Sequence, residues 1–188
     1  NIPVQLAVLA GDSAETIATF THLDTALSIF IDRYGPYRWD KVGYVAVPFT
    51  SGAMEHSTSI HIGKVFITGD LSYETLWAHE LSHQWWGDLV TCRSQEDMWL
   101  NEGFAVYSEH IFTEGYYGTE AYKEAVRNNH RQALQFAHIK DGSFLALNAV
   151  PHAQTYGRTV YDKGADIAHT LRNYMGDSVF FNGVKSYM

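Results

Sequence analysis

Two histidines one helical turn apart constrain this chain more than any other feature. The stretch over 77–88 reads WAHELSHQWWGD, and it places His79 and His83 four residues apart. On a helix both imidazoles leave the same face, so they can close on one metal ion. Glu80 follows the first histidine and is well placed to contact a water molecule bound to that ion. The pattern therefore predicts a helix that carries a metal site.

A third ligand candidate, Glu102, stands in the run WLNEGF, nineteen residues beyond His83. Two neutral imidazoles, one carboxylate and a fourth position left to water make a catalytic zinc site, whereas structural zinc sites are closed by four protein ligands. The predicted cofactor is therefore one Zn²⁺ ion held by His79, His83 and Glu102. The alternative for Glu102 is simple capping of the helix that begins there.

The residues around the two histidines favour a helix over 73–86. This segment contains neither Pro nor Gly, and Leu76, Trp77 and Leu81 recur at helical spacing before Gly87. The competing interpretation is a buried amphipathic helix whose histidines are merely hydrogen-bonded. Three such polar groups on a core face would be costly to desolvate without a metal, so the metal site is the preferred hypothesis.

Four motifs, in this order along the chain, resemble the zinc aminopeptidases of the gluzincin clan. This is the membrane alanyl aminopeptidase family, which also includes the leukotriene-epoxide hydrolase. HELSHQWWGDLVT and WLNEGFAVYSE resemble its zinc motifs, GAME over 52–55 resembles its substrate-amine motif Gly-x-Met-Glu-Asn, and YDKG over 161–164 resembles its catalytic tyrosine segment. The resemblance extends from about Asp12 to the C-terminus. It implies an α+β, thermolysin-like fold with a small β-containing lobe followed by a mainly helical lobe.

The resemblance also implies roles for individual residues. Glu55 would bind the free α-ammonium group of a peptide, and Gly52 and Ala53 would hydrogen-bond the peptide backbone. Glu80 would act as the general base, and Tyr161 would stabilise the oxyanion. The alternatives are a solvated loop acid for Glu55 and a half-buried packing aromatic for Tyr161.

Two further positions leave the details of the site open. His56 stands where the family usually has Asn, and an imidazole is larger than an amide and titratable. The resemblance therefore says less about the geometry and pH response of the amine site. Tyr156, five residues before Tyr161, is a weaker candidate for a site residue.

The zinc-ligand pattern together with the family resemblance implies a zinc-dependent metalloaminopeptidase that removes the N-terminal residue of peptides by means of a zinc-activated water. An endopeptidase with the same metal chemistry is one alternative, and it would also cleave N-acetylated peptides. An epoxide hydrolase is a second alternative. A non-catalytic peptide-binding module that keeps the fold is a third, and metal analysis with an aminoacyl-anilide assay would separate it from the enzymes.

Length and charge limit the remaining possibilities. A chain of 188 residues is long enough for one sizeable core or a compact two-lobed unit. The net charge of −8 without a basic run argues against nucleic acid as a partner, and no apolar stretch reaches the length of a transmembrane segment. Cys92 is the sole cysteine, so no internal disulfide can form.

The family resemblance implies an N-terminal β-rich domain and a C-terminal helical domain on either side of this stretch. The chain is therefore expected to be one catalytic domain over 1–188, excised from a larger protein. Its expected parts are a mixed α/β lobe over 1–70 and a mainly helical lobe over 71–188.

Hydrophobic periodicity and turn residues predict the individual elements. Strands are expected over 4–10, as a buried strand, and over 42–47 and 60–67, which places the Gly52 stretch at a sheet edge. One long helix is expected from Asp12 or Ser13 to Gly35. Later in the chain we expect helices over 73–86, 102–114, 119–139 and 159–175, a last helix from about 178, an extended piece over 89–93 and a loop over 142–157.

Overall fold

Four short strands form one mixed sheet, and all of them lie before residue 64. The computed structural model describes residues 2–188, so Asn1, the first residue of the predicted lobe over 1–70, lies outside the described residues. The strands are β1 (Val4–Ala7), β2 (Val42–Val47), β3 (Ala53–Met54) and β4 (Ile60–Gly63). Their order across the sheet is β1-β2-β4-β3, with β1, β2 and β4 parallel and β3 antiparallel to β4.

β3 forms one edge of the sheet, as predicted for the Gly52 stretch. Ala53 pairs with Ile62 of β4, and Met54 pairs with His61. No strand lies on the other side of β3 within residues 2–188. Its backbone is therefore available to an extended peptide, which is a common way for proteins to bind peptides.

Helices make up most of the remaining chain, in agreement with the predicted α+β class. They are α1 (Ser13–Thr19), α2 (Leu23–Tyr34), α3 (Glu74–Ser82), α4 (Glu102–Tyr117), α5 (Thr119–Arg131), α6 (Ala137–Lys140), α7 (Gly164–Met175) and α8 (Asp177–Tyr187). Two π-helical turns, Gln132–Phe136 and Thr159–Lys163, precede α6 and α7. Within residues 2–188, none of the helices is both long enough and apolar enough to cross a bilayer.

α3 lies between the sheet and α4 at the centre of the fold. It is buried on every side from Trp77 to Ser82, which is typical of a helix that runs through a core. The Trp77 ring packs on Phe112 of α4 with ring centroids 5.5 Å apart, and the Trp77 carbonyl accepts a 2.6 Å hydrogen bond from the Tyr44 hydroxyl of β2. The helix that carries the two histidines is thus fixed from both sides.

The prediction of one long helix up to Gly35 is wrong, because α1 and α2 are separate. The break lies at residues 20–22. Next to it, the Thr19 carbonyl accepts a 3.1 Å hydrogen bond from the Trp77 indole, and the Thr19 hydroxyl accepts a 3.0 Å bond from the Gly69 N–H. Both donors are distant in sequence, so no local pattern reveals the break.

The predicted end of α4 at Gly115 is also wrong. The helix continues to Tyr117 and stops at Gly118, whose φ of 88° suits glycine. Gly115 lies inside the helix because α2 passes close by, and a Cβ at this position would lie 2.7 Å from Cδ1 of Ile29.

Three predicted strand segments differ from the structure in detail. β1 ends at Ala7 and is a largely exposed edge strand rather than a buried one, since no strand between residues 2 and 188 pairs with its other side. β4 stops at Gly63, where a 3-10 turn begins. Residues 89–93 form no regular strand and contribute only an isolated bridge between Trp86 and Val90.

Two glycines allow α4 to approach the start of α7. A Cβ on Gly103 would lie 2.8 Å from Cα of Gly164 and 3.0 Å from the Val160 carbonyl oxygen. Gly103 follows Glu102, and Gly164 lies three residues after Tyr161. This close contact therefore sets the distance between two segments that carry predicted site residues.

We expect Gly103→Ala to lower the free energy of unfolding by about 1–3 kcal/mol, because the added methyl group meets backbone atoms that cannot rotate away. Denaturant unfolding measures this change. Gly183→Ala in α8 is the matched control, since its Cβ meets open space, and we expect it to raise the stability by about 0.5–1 kcal/mol. Equal stabilisation by both variants would contradict the close contact.

Candidate metal centre

The three predicted metal ligands converge. Nε2 of His79 lies 3.2 Å from Oε2 of Glu102, and Nε2 of His83 lies 3.5 Å from the same oxygen. All three side chains are buried, and their ligand atoms lie within 4.8 Å of one another. α3 supplies the histidine pair, while the first residue of α4 supplies the carboxylate.

His83 lies just beyond the regular part of α3, so the predicted continuation of the helix to Trp86 is wrong. The chain tightens there because the Trp85 N–H bonds to the Ser82 carbonyl three residues earlier. His83 keeps helical φ and ψ of −60° and −20°. Its ring therefore stays on the same side as the ring of His79.

The outer nitrogens of both rings are held by acceptors. Nδ1 of His83 donates to the Trp86 carbonyl at 2.8 Å, and Nδ1 of His79 donates to the Glu109 carboxylate at 2.9 Å. In a neutral ring with Nδ1 protonated, Nε2 carries a free lone pair, which is the form that binds metals. Two such nitrogens and the Glu102 carboxylate fit a divalent ion such as Zn²⁺.

The pKa values of the two buried carboxyl groups, Glu80 and Glu102, are shifted in opposite directions. Without a metal, burial alone would raise the pKa of Glu102, but the imidazoles of His79 and His83, whose Nε2 atoms contact its carboxylate, outweigh burial and hold that pKa below its usual value. Burial raises the pKa of Glu80, although the same imidazoles oppose the shift. A lowered pKa favours the anionic form of Glu102, which is the form that binds metals, and a raised pKa favours proton uptake by Glu80.

Sequence reasoning missed Glu109. This residue lies on α4 seven positions after Glu102, so it faces the same side of the helix two turns later. A carboxylate that accepts from the outer nitrogen of a metal-binding histidine fixes the tautomer and orientation of the ring. The seven-residue spacing was the available signal, but it gains meaning only once the His79 ring is placed.

Glu55 directly follows β3 and faces the same centre. One of its carboxylate oxygens lies within 4.8 Å of a Glu80 oxygen and of a His83 ring nitrogen. Gly52, with φ of 67°, and Ala53 lie beside it at the exposed sheet edge. A carboxylate and free strand backbone thus stand next to the metal ligands.

Tyr161 lies in the π-helical turn Thr159–Lys163. Its ring is parallel to the ring of His79, with centroids 6.2 Å apart. Burial, followed by the negative charge of Glu102, raises the pKa of Tyr161, so the hydroxyl group stays protonated and can donate. π-helical turns are rare and are often found at functional sites.

Asp141 holds this turn and was also missed. Its carboxylate accepts hydrogen bonds from the backbone N–H groups of Arg158 at 2.9 Å and Thr159 at 2.6 Å. From the other side, the Asn129 amide donates to the Asp162 carbonyl at 2.8 Å. The partners in these contacts are 17 to 33 positions apart in the sequence, so no local motif predicts them.

Tyr156, the weaker sequence candidate, and His56, which departs from the family motif, both lie outside the buried centre. Tyr156 is 72% exposed and lies on the wall of the cleft. His56 is exposed, and its ring meets His61 edge-on with centroids 5.0 Å apart.

A cleft of about 1030 Å³ unites the predicted site. All eight residues proposed from the sequence for metal, proton transfer and substrate line it: Gly52, Ala53, Glu55, His79, Glu80, His83, Glu102 and Tyr161. A cleft of this size is large enough for a small ligand or a short peptide. The arrangement can hold a divalent ion, accept a proton from water and bind a cationic group.

The sequence matches known proteins along most of its length. "Probable aminopeptidase 2" of Sulfurisphaera tokodaii is 30% identical over 185 residues, which cover 88% of this chain and 23% of that protein. Leukotriene A-4 hydrolase of Xenopus laevis is 28% identical over 182 residues, which cover 92% of this chain and 30% of that protein. The chain spans less than a third of the length of either relative.

The fold agrees with the sequence matches. A mutant of an M1 zinc metallopeptidase from Deinococcus radiodurans, solved with a bound Tyr-Ser-Ala substrate, is similar with a TM-score of 0.75 and 26% identity, covering 88% of this chain and 35% of that one. The model of the peptidase family M1 domain matches residues 19–188. The predicted resemblance, hydrolase class and zinc cofactor agree with these matches. The chain belongs to peptidase family M1.

Proposed function

We propose that this chain is the catalytic domain of a zinc-dependent aminopeptidase with the thermolysin-like arrangement of two lobes, over 1–70 and 71–188. One observation carries the proposal. The Glu55 carboxylate lies within 4.8 Å of both Glu80 and His83, so a cation-binding group stands beside the predicted metal and base. The proteins similar to this chain include an aminopeptidase and a zinc metallopeptidase bound to a peptide substrate, which supports the proposal.

His79, His83 and Glu102 would hold the metal. Zn²⁺ bound there would act as a Lewis acid and would lower the pKa of a water molecule to about 7. Glu80 takes the proton of the attacking water and returns it to the leaving amine. The Tyr161 hydroxyl donates a hydrogen bond to the oxygen of the attacked carbonyl, where negative charge develops.

Glu55 and the edge of β3 would select the substrate. The Glu55 carboxylate pairs with the free α-ammonium group of a peptide, while Gly52 and Ala53 hydrogen-bond its backbone. Because Glu55 lies next to the metal ligands, a peptide bound in this way presents its first peptide bond to Glu80. The enzyme then removes one residue from the N-terminus.

The direct test compares a free peptide with its N-acetylated form, using the full-length parent protein and measuring bound zinc in the same samples. We propose that flanking domains of the parent complete the cleft, since this chain spans 23% and 30% of the two relatives described above. Cleavage of the free peptide alone supports an aminopeptidase. Equal cleavage of both peptides would favour an endopeptidase, and zinc without cleavage of either would favour a peptide-binding module.

Glu55→Gln is expected to reduce kcat/KM for free peptides by about 10- to 100-fold, because the charge-assisted bond to the ammonium group is lost while the side chain keeps its size. Steady-state kinetics with a series of free peptides measures the change. Glu96→Gln is the control, since Glu96 is an exposed acid outside the cleft. A wild-type value for Glu55→Gln would remove the amine-binding role.

A further inference from the structure

Gln84 connects the metal-binding segment to the segment that carries Glu55. It directly follows His83, and its side chain is almost fully buried, with 1% relative exposure. Gln84 is neither a proposed metal ligand nor a proposed proton-transfer residue, so it has no role in the mechanism proposed above. A buried amide must find partners for both its oxygen and its nitrogen, so its contacts show what it holds.

The Gln84 amide uses both ends on the Glu55 segment. Its Nε2 donates to the Glu55 carbonyl at 3.2 Å, and its Oε1 accepts from the Thr58 N–H at 3.0 Å. Nε2 also donates to Asp88 Oδ2 at 2.9 Å. A carbonyl can only accept and an N–H can only donate, so the two backbone partners determine the orientation of the amide.

These two bonds anchor the residues around Glu55 from the side of the metal ligands. Within residues 2–188, two side-chain hydrogen bonds reach the backbone of 55–58, and Gln84 makes both of them. The main chain of Gln84 is held in turn, because its carbonyl accepts a 2.9 Å bond from the Trp39 indole. Gln84 is therefore a rigid bridge rather than a loose contact.

The bridged turn is strained. Thr58 has a φ of 60°, which is unfavourable for a β-branched residue and persists only where neighbouring groups enforce it. One such group is the Gln84 amide on the Thr58 N–H. Another is Gly43 of β2, where a Cβ would collide with the Thr58 carbonyl oxygen. Loss of the amide would let this turn relax and would move Glu55 with it.

We infer that Gln84 is a positioning residue that sets the amine-binding carboxylate of Glu55 at its distance from the metal centre. This inference rests on the proposed aminopeptidase function. Glu55 can bind the α-ammonium group of the substrate only if its carboxylate lies at the right distance from the metal centre, where the carbonyl of the same first residue is attacked. Gln84 provides that spacing because it is joined to His83 by the chain and to Glu55 by a hydrogen bond.

The test is binding of leucinamide and N-acetyl-leucinamide to the zinc-loaded full-length protein by calorimetry, with zinc content measured alongside. For Gln84→Met, which keeps the volume but loses every hydrogen bond of the amide, including the two to the Glu55 segment, we expect about tenfold weaker binding of leucinamide. N-acetyl-leucinamide binding and zinc content are expected to stay within about twofold of wild type. In kinetics, KM for free peptides is expected to rise while kcat changes little, because positioning of the amine affects binding more than chemistry.

Gln84→Glu is the second variant, and it tests the positioning role of Gln84 if Gln84→Met does not fold. It keeps an acceptor for the Thr58 N–H but loses the donor to the Glu55 carbonyl, and we expect the same loss of leucinamide selectivity. Combined with Glu55→Gln, either substitution is expected to add little further loss, since both act on one contact. Wild-type leucinamide binding, or equal weakening of both ligands, would overturn the positioning role. Failure of the proposed function itself is distinct, because wild-type protein would then bind both ligands equally.

Discussion

Replacement of Glu80 by Gln is expected to reduce peptide hydrolysis by about 10²- to 10⁴-fold while zinc stays bound. The amide keeps the shape of the side chain but cannot accept a proton from the attacking water. Glu80 is not one of the three proposed ligands His79, His83 and Glu102, although its carboxylate also lies near His83 and Glu55. We therefore expect the amide variant to keep the metal site. Steady-state kinetics of the full-length protein, with zinc quantified in the same preparation, measures both parts of this prediction.

Glu74→Gln provides the matched control on the same helix. Glu74 lies in the first turn of α3, outside the cleft, and hydrogen-bonds His22 and Tyr117. Its replacement is expected to affect stability rather than turnover of the folded enzyme. Retained hydrolysis in Glu80→Gln would refute the assignment of Glu80 as the base, whereas a joint loss of zinc would show that Glu80 helps to hold the metal.

Glu102→Gln is expected to weaken zinc binding by more than about 100-fold and to abolish hydrolysis at limiting zinc. The carboxylate supplies the negative charge of the site, and an amide oxygen does not replace that charge. Loss of an outer hydrogen-bond partner of a metal-binding histidine costs about 10- to 100-fold in affinity, so loss of a ligand should exceed that range. Competition with a zinc chelator of known affinity measures the dissociation constant.

Glu109→Gln serves as the graded comparison for this measurement. Glu109 contacts Nδ1 of His79 at 2.9 Å rather than the ligand face of the ring, so we expect its replacement to weaken zinc binding only within the 10- to 100-fold range. Circular dichroism of both variants checks that the helices are retained. If Glu109→Gln lost zinc as completely as Glu102→Gln, or if both bound it normally, the assignment of inner and outer groups would be wrong.

Much of the metal centre could be predicted from spacing alone. His79 and His83 lie four residues apart, and a helix brings such residues to one face whatever surrounds it. Glu102 is different, since its distance from the histidines depends on how α3 and α4 pack. Glu102 is proposed from its position after His83 and from the ligand set of a catalytic zinc site, whereas the family resemblance points to Glu55 and Tyr161. The structure brings all three into one cleft.

The residues that sequence reasoning missed act through long-range contacts. Glu109 gains its role from the His79 ring 30 positions away, and Asp141 gains its role from N–H groups 17 and 18 positions later. The helix break near Thr19 has the same origin, because the Thr19 carbonyl accepts a hydrogen bond from the indole of Trp77, 58 positions away. Local propensity describes neighbours along the chain, so tertiary hydrogen bonds of this kind lie beyond it.

Glycines show the same limit from the opposite direction. Gly115 was expected to end a helix, since glycine is common at helix ends. In the structure it lies inside α4, where the side chain of Ile29 would collide with any added Cβ. A glycine required for close packing and a glycine required for a turn look identical in a sequence.

The most direct test of the metal centre is anomalous diffraction at the zinc edge from crystals of this protein grown with zinc. We predict one strong peak within bonding distance of Nε2 of His79, Nε2 of His83 and a carboxylate oxygen of Glu102, with no fourth protein ligand. A peak that lacks one of these three groups, or a site closed by another side chain, would contradict a catalytic zinc centre in this cleft.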